Sequence, residues 1–178
     1  MKVTNIFLLF AVFIIICLAV LLVKKIWWSM PSDNQRFIGT WRLISVTYAD
    51  GRANELCGSN PVGYIMYAKD GYMSVQIMRN VREKLHSDNF LEATPEESRK
   101  LWRDFFAYAG PFSVDTKQKI VTHHVVTNIS PNAVGKSLQR RYRFDKDKLY
   151  LTTIVVPDAS GEMEQTLVWQ RVKVGNAY

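Results

Sequence analysis

Two adjacent histidines, His123 and His124, lie in the stretch KIVTHHVVTN, which is typical of a β-strand. Histidine pairs can bind a metal ion or exchange protons near neutral pH. Successive side chains of a strand point to opposite faces, so the two imidazoles cannot serve one site together. Because Lys119 is expected to face solvent, the alternation predicts that His124 points into the fold and that His123 points outward.

Three roles are open to an interior His124. A neutral imidazole can hydrogen bond to hydroxyl groups, it can orient a ligand, or it can act as a general acid or base. A metal site is not indicated, because His86 is the only other histidine, it lies in a predicted loop, and the ligand spacing of zinc sites is absent. We therefore predict no metal and no cofactor.

Aromatic, thioether and polar side chains alternate in VGYIMY and YMSVQIM, and could line a pocket with an interior His124. Arg141, in the strand SLQRRYRF, would need an acidic ligand group or an internal partner if it points inward, because an unpaired buried charge is unfavourable. These side chains could equally lie on a solvated outer face. The predicted ligand-binding residues are Tyr64, Met66, Tyr72, Ser74, Gln76, His124 and Arg141.

No motif in the sequence completes a catalytic site. The serine nucleophile elbow, the phosphate-binding loop and the dinucleotide-binding fingerprint are all absent. Cys57 is a single thiol in a predicted loop, with no neighbouring base to activate it. The net charge of +7 is spread along the chain, and the arginines of LQRRYRF alternate along a strand. We therefore predict no nucleic-acid partner.

Residues 6–23, IFLLFAVFIIICLAVLLV, form an uncharged apolar run that is long enough, as a helix, to span the hydrocarbon core of a bilayer. Two lysines and two tryptophans follow it, as is common at the membrane interface. A cleaved signal peptide is the alternative, but no small-x-small cleavage site is present. The run predicts a single-pass membrane protein with the side of the remaining chain left open.

The chain beyond the apolar run is predicted to form eight strands, nearly all joined to their sequence neighbours by short turns. Asp70 and Gly71 indicate one tight hairpin. Eight antiparallel strands can close into a barrel with room for one small ligand. The predicted divisions are an anchor with its flank at 1–30, a linker at 31–36, a barrel domain at 37–173 and a tail at 174–178.

One helix is predicted in ATPEESRKLWRDFFAYAG, between the third and fourth strands. Thr94 is the expected N-cap, Pro95 the first helical residue and Glu97 the partner that completes a capping box. Gly110 is expected to end the helix. Its apolar stripe, which should pack against a large part of the fold, consists of Leu101, Trp102, Phe105 and Phe106.

The sequence GTW at the start of the first strand resembles the G-x-W signature of the lipocalins, here Gly39 and Trp41. In that superfamily the tryptophan closes the bottom of the barrel and an arginine near the last strand packs over it, which implies a cation–π contact from Arg171. More narrowly, residues 37–173 resemble the bacterial and fungal lipocalin-like domain family. The matching stretches include FIGTWRLISV, NPVGYIMYAKDGYMSVQIMR and VTHHVVTNISPNAVGKSLQRRY.

The apolar run predicts a single transmembrane helix before the domain. The resemblance implies an all-β, eight-stranded, antiparallel up-and-down barrel with one helix between strands 3 and 4. It leaves three functions open, since a fold does not fix a function, and the third of them is a structural or interaction protein whose barrel interior is full. The first hypothesis is a membrane-anchored protein that binds a small apolar or amphipathic molecule. The second is a cofactor-free cyclase or isomerase acting on a secondary metabolite such as a polyketide or terpenoid, with His124 as acid or base and Arg141 as electrostatic partner.

Overall fold

The structure, a computed structural model, describes residues 15–16, 18–19, 31–54, 57, 60–154 and 164–173. The chain divides into two compact units, residues 1–36 and 37–178. Most of the predicted anchor at 6–23 and the whole predicted tail at 174–178 lie outside the described residues. Among the residues that are described, no helix is both long enough and apolar enough to cross a membrane.

The second unit is built from strands in which buried and exposed side chains alternate. Its strands are β1 (Gly39–Tyr48), β2 (Val62–Tyr67), β3 (Tyr72–Met78), β4 (Phe105–Asp115), β5 (Ile120–His124), β6 (Thr127–Asn128), β7 (Ser137–Asp145), β8 (Lys148–Thr153) and β9 (Gln165–Arg171). A short helix, α1 (Asp33–Phe37), precedes β1, and α2 (Pro95–Arg103) lies between β3 and β4. Single 3₁₀ turns are formed by Phe90–Glu92 and Pro131–Ala133.

Eight of these strands form a closed antiparallel ring. Each of the eight pairs with the strands before and after it in the chain, and β5 pairs with β7 because β6 is not part of the ring. The last strand, β9, pairs with β1 and closes the ring. The two-residue strand β6 adds a short pairing to β4. Closure removes the exposed edges that an open sheet of this size would present. The predicted eight-stranded, up-and-down barrel with one helix between strands 3 and 4 is confirmed.

The helix α2 begins as the sequence predicts but ends earlier. Thr94 accepts a hydrogen bond from the Glu97 amide and Glu97 accepts one from the Thr94 amide, which is the predicted capping box. The helix ends at Arg103, and the residues from Phe105 onward pair with β3 as part of β4. The prediction of a helix extending to Gly110 was therefore wrong, because strand pairing overrides the apolar spacing in this stretch.

Gly110 has a different role, which is to let two backbone segments approach each other. A Cβ atom at this position would lie 1.9 Å from the carbonyl oxygen of His124, so no larger residue fits. On one side of Gly110, β4 pairs with β5 from Phe112 onward, and on the other side it pairs with β6. The predicted single strand KIVTHHVVTN is thereby divided into β5 and β6.

One end of the barrel is closed by aromatic side chains. The Phe37 ring packs edge-on against Tyr67, Tyr142 and Phe144 at centroid distances of 4.9 to 5.0 Å. Trp41 is fully buried, and its Nε1 donates a hydrogen bond to the Phe37 carbonyl at 2.8 Å. Such T-shaped ring contacts stabilise the fold beyond the area they bury.

Arg171, which belongs to the last strand, β9, also contributes to closing this end. Its guanidinium lies 4.0 Å from the centroid of the Trp41 ring, the cation–π contact that the family resemblance implies. Its Nη1 also donates to the Ile38 carbonyl at 2.9 Å. Gly39 makes this geometry possible, because a Cβ there would lie 2.9 Å from that same nitrogen.

Candidate ligand-binding cavity

The other end of the barrel contains a cavity of about 910 Å³. It lies among the last residues of β1, β3 and β8 and the first residues of β4, β7 and β9. Small-molecule sites in proteins usually have volumes of roughly 300–1,000 Å³ and are mostly apolar. Apolar side chains dominate this wall as well, among them Val75, Ile77, Phe105, Leu151, Leu167 and Trp169.

A buried histidine between two tyrosines is the main polar feature of the cavity wall. The Nε2 atom of His123 lies 2.9 Å from the Tyr67 hydroxyl, and its Nδ1 atom lies 2.8 Å from the Tyr108 hydroxyl. The His123 side chain is 1% exposed. The three residues come from β5, β2 and β4, and their side chains meet inside the barrel. His123 and Tyr108 line the cavity.

Burial keeps the His123 imidazole neutral. Loss of hydration, and then the positive charge of Arg140, lower the pKa of His123 from 6.5 to about 3. Burial also raises the pKa of Tyr67 well above its usual value and raises the pKa of Tyr108. At neutral pH all three groups are therefore uncharged, and they act by donating and accepting hydrogen bonds.

A neutral imidazole has one N–H donor and one acceptor nitrogen. One tyrosine therefore donates its hydroxyl hydrogen to His123, while the other accepts the ring N–H and keeps its own hydrogen for a different acceptor. When Nδ1 carries the hydrogen, Tyr108 is the tyrosine with the spare donor. The arrangement can thus offer one hydrogen-bond donor to a guest in the cavity.

Arg140 supplies a positive charge on the interior face of β7. It shares that face with Leu138, Tyr142 and Phe144, while the residues between them are exposed. Arg140 lines the cavity, and its Nη1 donates to the Gln139 carbonyl at 2.8 Å. Its charge helps to lower the pKa of His123, and it partly offsets the rise that burial causes in the pKa of Tyr67 and of Tyr108.

A second charged group stands where α2 meets β4. The buried carboxylate of Asp104 lies 3.4 Å from Nε of Arg79 and 3.4 Å from Nε of Arg103. The Arg79 amide also donates to the Asp104 carbonyl at 3.0 Å. All three residues line the cavity, so one carboxylate there is shared between two guanidinium groups.

Comparison with models of protein families agrees with this architecture. A family model described as "Lipocalin-like domain" matches residues 38–172, most of the chain. The chain belongs to the lipocalin-like domain family. A comparison with the curated proteins gave no match. Among solved structures, the lipocalin-like barrel is similar to a mutant of the fluorescent protein UnaG, with 18% identity, a TM-score of 0.35, and coverage of 76% of this chain and 96% of that one.

The interior histidine of this lipocalin-like domain is His123, so the prediction that His124 points inward was wrong. The His124 side chain is exposed, and its ring nitrogens lie 3.1 Å from the hydroxyls of Ser113 and Ser137. The error has a local cause. Lys119 has a φ of 57° and lies in the turn before β5, so it does not share the alternation that begins at Ile120.

The interior arginine is also one residue away from the predicted one. Arg141 is exposed and forms an ion pair with Glu164 at 3.0 Å, whereas Arg140 faces the cavity. The inward position proposed for Arg141 was therefore wrong. A usable signal was present, since Leu138, Tyr142 and Phe144 occupy alternate positions and place the residue between the first two, Arg140, on their face.

The predicted polar face of β2 and β3 lies outside the barrel. Tyr64 and Met66 alternate with buried Ile65 and Tyr67 on β2, and on β3 it is Met73, Val75 and Ile77 that are buried. The remaining predicted ligand-binding residues therefore lie on the outer face of the barrel, and the prediction that they line its interior was wrong. These are Tyr64, Met66, Tyr72, Ser74 and Gln76.

Sequence reasoning missed Tyr67, Tyr108, His123 and Arg140 as a set. Tyr108 was assigned to the helix. The other three were missed because the inward-facing positions of their strands were predicted one residue away from the true ones. The apolar residues Val121 and Val125, which flank His123 at alternate positions and are buried with it, were the signal that indicates the true phase.

Proposed function

We propose that this lipocalin-like barrel binds one small molecule with an apolar body, held in the cavity at the end of the barrel opposite Trp41. The observation that carries the proposal is the cavity of about 910 Å³, lined by apolar side chains around a few fixed polar groups. Burial of an apolar guest among such side chains is favourable at roughly 25 cal/mol per Å². The polar groups would orient the guest.

The geometry favours binding over the alternative cyclase or isomerase activity. That alternative depended on His124 and Arg141, and both side chains lie outside the barrel. The cavity histidine, His123, has a pKa of about 3 and so is a poor proton acceptor at neutral pH. Tyr108, with a raised pKa, is a correspondingly poor proton donor.

We further propose that residues 6–23 tether the barrel to a membrane. The support comes from the sequence, in which this uncharged run has the length and composition of a spanning helix with lysine and tryptophan at its end. A tethered binding protein could take an apolar guest from the bilayer or deliver one to it.

Binding can be tested by titrating the purified full chain with the neutral, environment-sensitive dye N-phenylnaphthylamine. We expect a saturable fluorescence increase with one dye molecule per chain. The Val75→Trp variant, whose larger side chain enters the cavity, should reduce the affinity at least about tenfold, which corresponds to about 1.4 kcal/mol.

The matched control is Ile44→Trp, which adds the same side chain on the outer face of β1, where Ile44 is exposed. It should bind the dye as the unmodified chain does. Circular dichroism spectra establish that both variants are folded. A chain that shows no saturable signal, or two variants that lose the dye equally, would remove the cavity as the binding site.

The membrane proposal has a separate test. After expression, membranes are washed with alkaline carbonate, which releases peripheral proteins. The full chain should remain in the membrane pellet, and a chain that begins at residue 31 should move to the supernatant. Release of the full chain by the same wash would contradict the tether.

A further inference from the structure

The cavity wall contains a cation without a matching anion in the described part of the chain. Arg140 carries a positive charge, as arginine side chains do in proteins. The hydrogen bond that the structure gives its guanidinium is to a neutral acceptor, the Gln139 carbonyl at 2.8 Å. A charge on the inner face of a barrel is unfavourable unless an opposite charge or several hydrogen bonds compensate it.

The remaining charged groups of the wall do not supply that anion. Asp104 is the one carboxylate among the described lining residues, and Arg79 and Arg103 already share it at 3.4 Å each. The described lining therefore has three arginines against one aspartate, with His123 neutral. The described part of the lining therefore carries a net positive charge among mostly apolar side chains.

Two neutral donors accompany this charge. Tyr108 can direct its hydroxyl hydrogen to a guest whenever Nδ1 of His123 carries the imidazole hydrogen, and an oxygen anion beside Tyr108 would favour that tautomer. Trp169 also lines the cavity, and its buried Nε1 has no hydrogen-bond acceptor among the described residues. Buried donors of this kind usually have a partner.

We propose that the guest is an anionic amphipath, with a carboxylate that contacts Arg140 and Tyr108 and an apolar body that lies along Val75, Ile77 and Leu167. The inference rests on the proposed function and narrows it to one ligand class. A carboxylate accepts hydrogen bonds from a guanidinium and a phenol at the same time, and charge-assisted hydrogen bonds are about twice as strong as neutral ones.

The test compares three probes that share one alkyl chain: dodecanoic acid, dodecanol and dodecylamine. Each is used to displace N-phenylnaphthylamine from the purified full chain at neutral pH. We expect the acid to bind about tenfold or more tightly than the alcohol, because a hydrogen bond to a charged group contributes about 1.5–3 kcal/mol. The amine should bind more weakly than the alcohol.

A pair of neighbouring variants gives the matched control. Arg140→Met removes the interior charge and should reduce the acid-to-alcohol affinity ratio to about one, with little change for the alcohol. Arg141→Met removes the adjacent exterior arginine, which pairs with Glu164, and should keep the ratio of the unmodified chain. Tyr108→Phe should lower the ratio severalfold. Dye binding by each variant establishes that its cavity is intact.

The outcomes separate this inference from the proposed function. If the dye and dodecanol bind but the acid shows no advantage, or if its advantage survives in Arg140→Met, the cavity binds apolar guests and the anionic class is wrong. If neither the dye nor any of the three probes binds, the proposed function and this inference both fail.

Discussion

At one end of the barrel the Phe37 ring packs edge-on against Tyr67, Tyr142 and Phe144. At the other end the same strands surround a cavity of about 910 Å³. The two ends meet at Tyr67, whose ring packs on Phe37 and whose hydroxyl binds His123. In a closed ring of strands, one half of the interior can therefore stabilise the fold by packing while the other half provides space for a guest.

The largest effect should follow from opening the closed end. Trp41→Ala removes a fully buried ring together with its hydrogen bond to Phe37 and its contact with Arg171. We expect the free energy of unfolding in urea to fall by about 3–5 kcal/mol. Trp102→Ala, at a side chain that is 60% exposed, should change it by less than about 0.5 kcal/mol. Similar losses in the two variants would show that the aromatic cluster is not the main source of stability.

Substituting a larger side chain should destabilise the fold at a packed position but not at a position on the cavity wall. Val121 is fully buried and does not line the cavity, so Val121→Phe has no space to enter and should destabilise the fold by about 1–3 kcal/mol. Val75 lies on the cavity wall, and Val75→Phe should leave the urea midpoint nearly unchanged because its ring occupies the cavity. Equal losses in both variants would mean that the cavity end is as tightly packed as the closed end.

The third effect is a pH dependence that arises at the junction of the two ends. The pKa of His123 is about 3 in the folded chain, against a usual 6.5, so the unfolded chain binds this proton first as the pH falls. The free energy of unfolding should therefore decrease between about pH 6.5 and pH 3, by up to about 1.4 kcal/mol per pH unit. Urea unfolding at several pH values measures this slope.

His123→Gln, which keeps a donor and an acceptor for the two tyrosines, should lose this contribution to the slope. His124→Gln, one residue away on the exposed face, should retain it. The difference between the two variants isolates His123 from the carboxylates that titrate in the same range. Identical slopes would show that the interior imidazole is not held neutral.

The smallest effect should be local and confined to the cavity end. The Glu97 carboxylate accepts hydrogen bonds from the amides of Thr94 and His86, each at 2.8 Å, and contacts the His86 ring. These contacts lower the pKa of Glu97 to about 2. Glu97→Gln should speed amide hydrogen exchange around residues 86 and 94 without shifting the global urea midpoint. Glu96→Gln, on the same helical turn, should leave the exchange rates of these amides unchanged.

Much of the strand order could be predicted because several neighbouring strands are joined by short turns, which the sequence displays directly. The Asp70–Gly71 hairpin and the Thr94–Glu97 capping box are local signals of this kind, and both are present. The phase of each strand was harder, since a shift of one residue exchanges every inward side chain for an outward one. One lysine with a φ of 57° was enough to exchange His123 for His124.

The extent of α2 and the cavity itself could not be predicted for a different reason. Phe105 and Phe106 have a spacing that suits a helix, and the competing strand partners, Met78 and Ile77, are distant in sequence. Packing decides such cases, and packing is not visible in a single sequence. Whether the interior is filled or empty likewise depends on how side chains from every strand meet.

The pairing of β1 with β9 has a consequence for synthesis of the protein. Trp41 through Tyr48 hydrogen bond to residues at the far end of the domain, from Gln165 to Arg171, with one irregularity near Ser45. At ribosomal elongation rates of about 5–20 residues per second, the first strand therefore waits roughly ten seconds for its partner. During that interval its backbone edge is unpaired, which makes the nascent chain a natural client for chaperones that shield open strand edges until the ring can close.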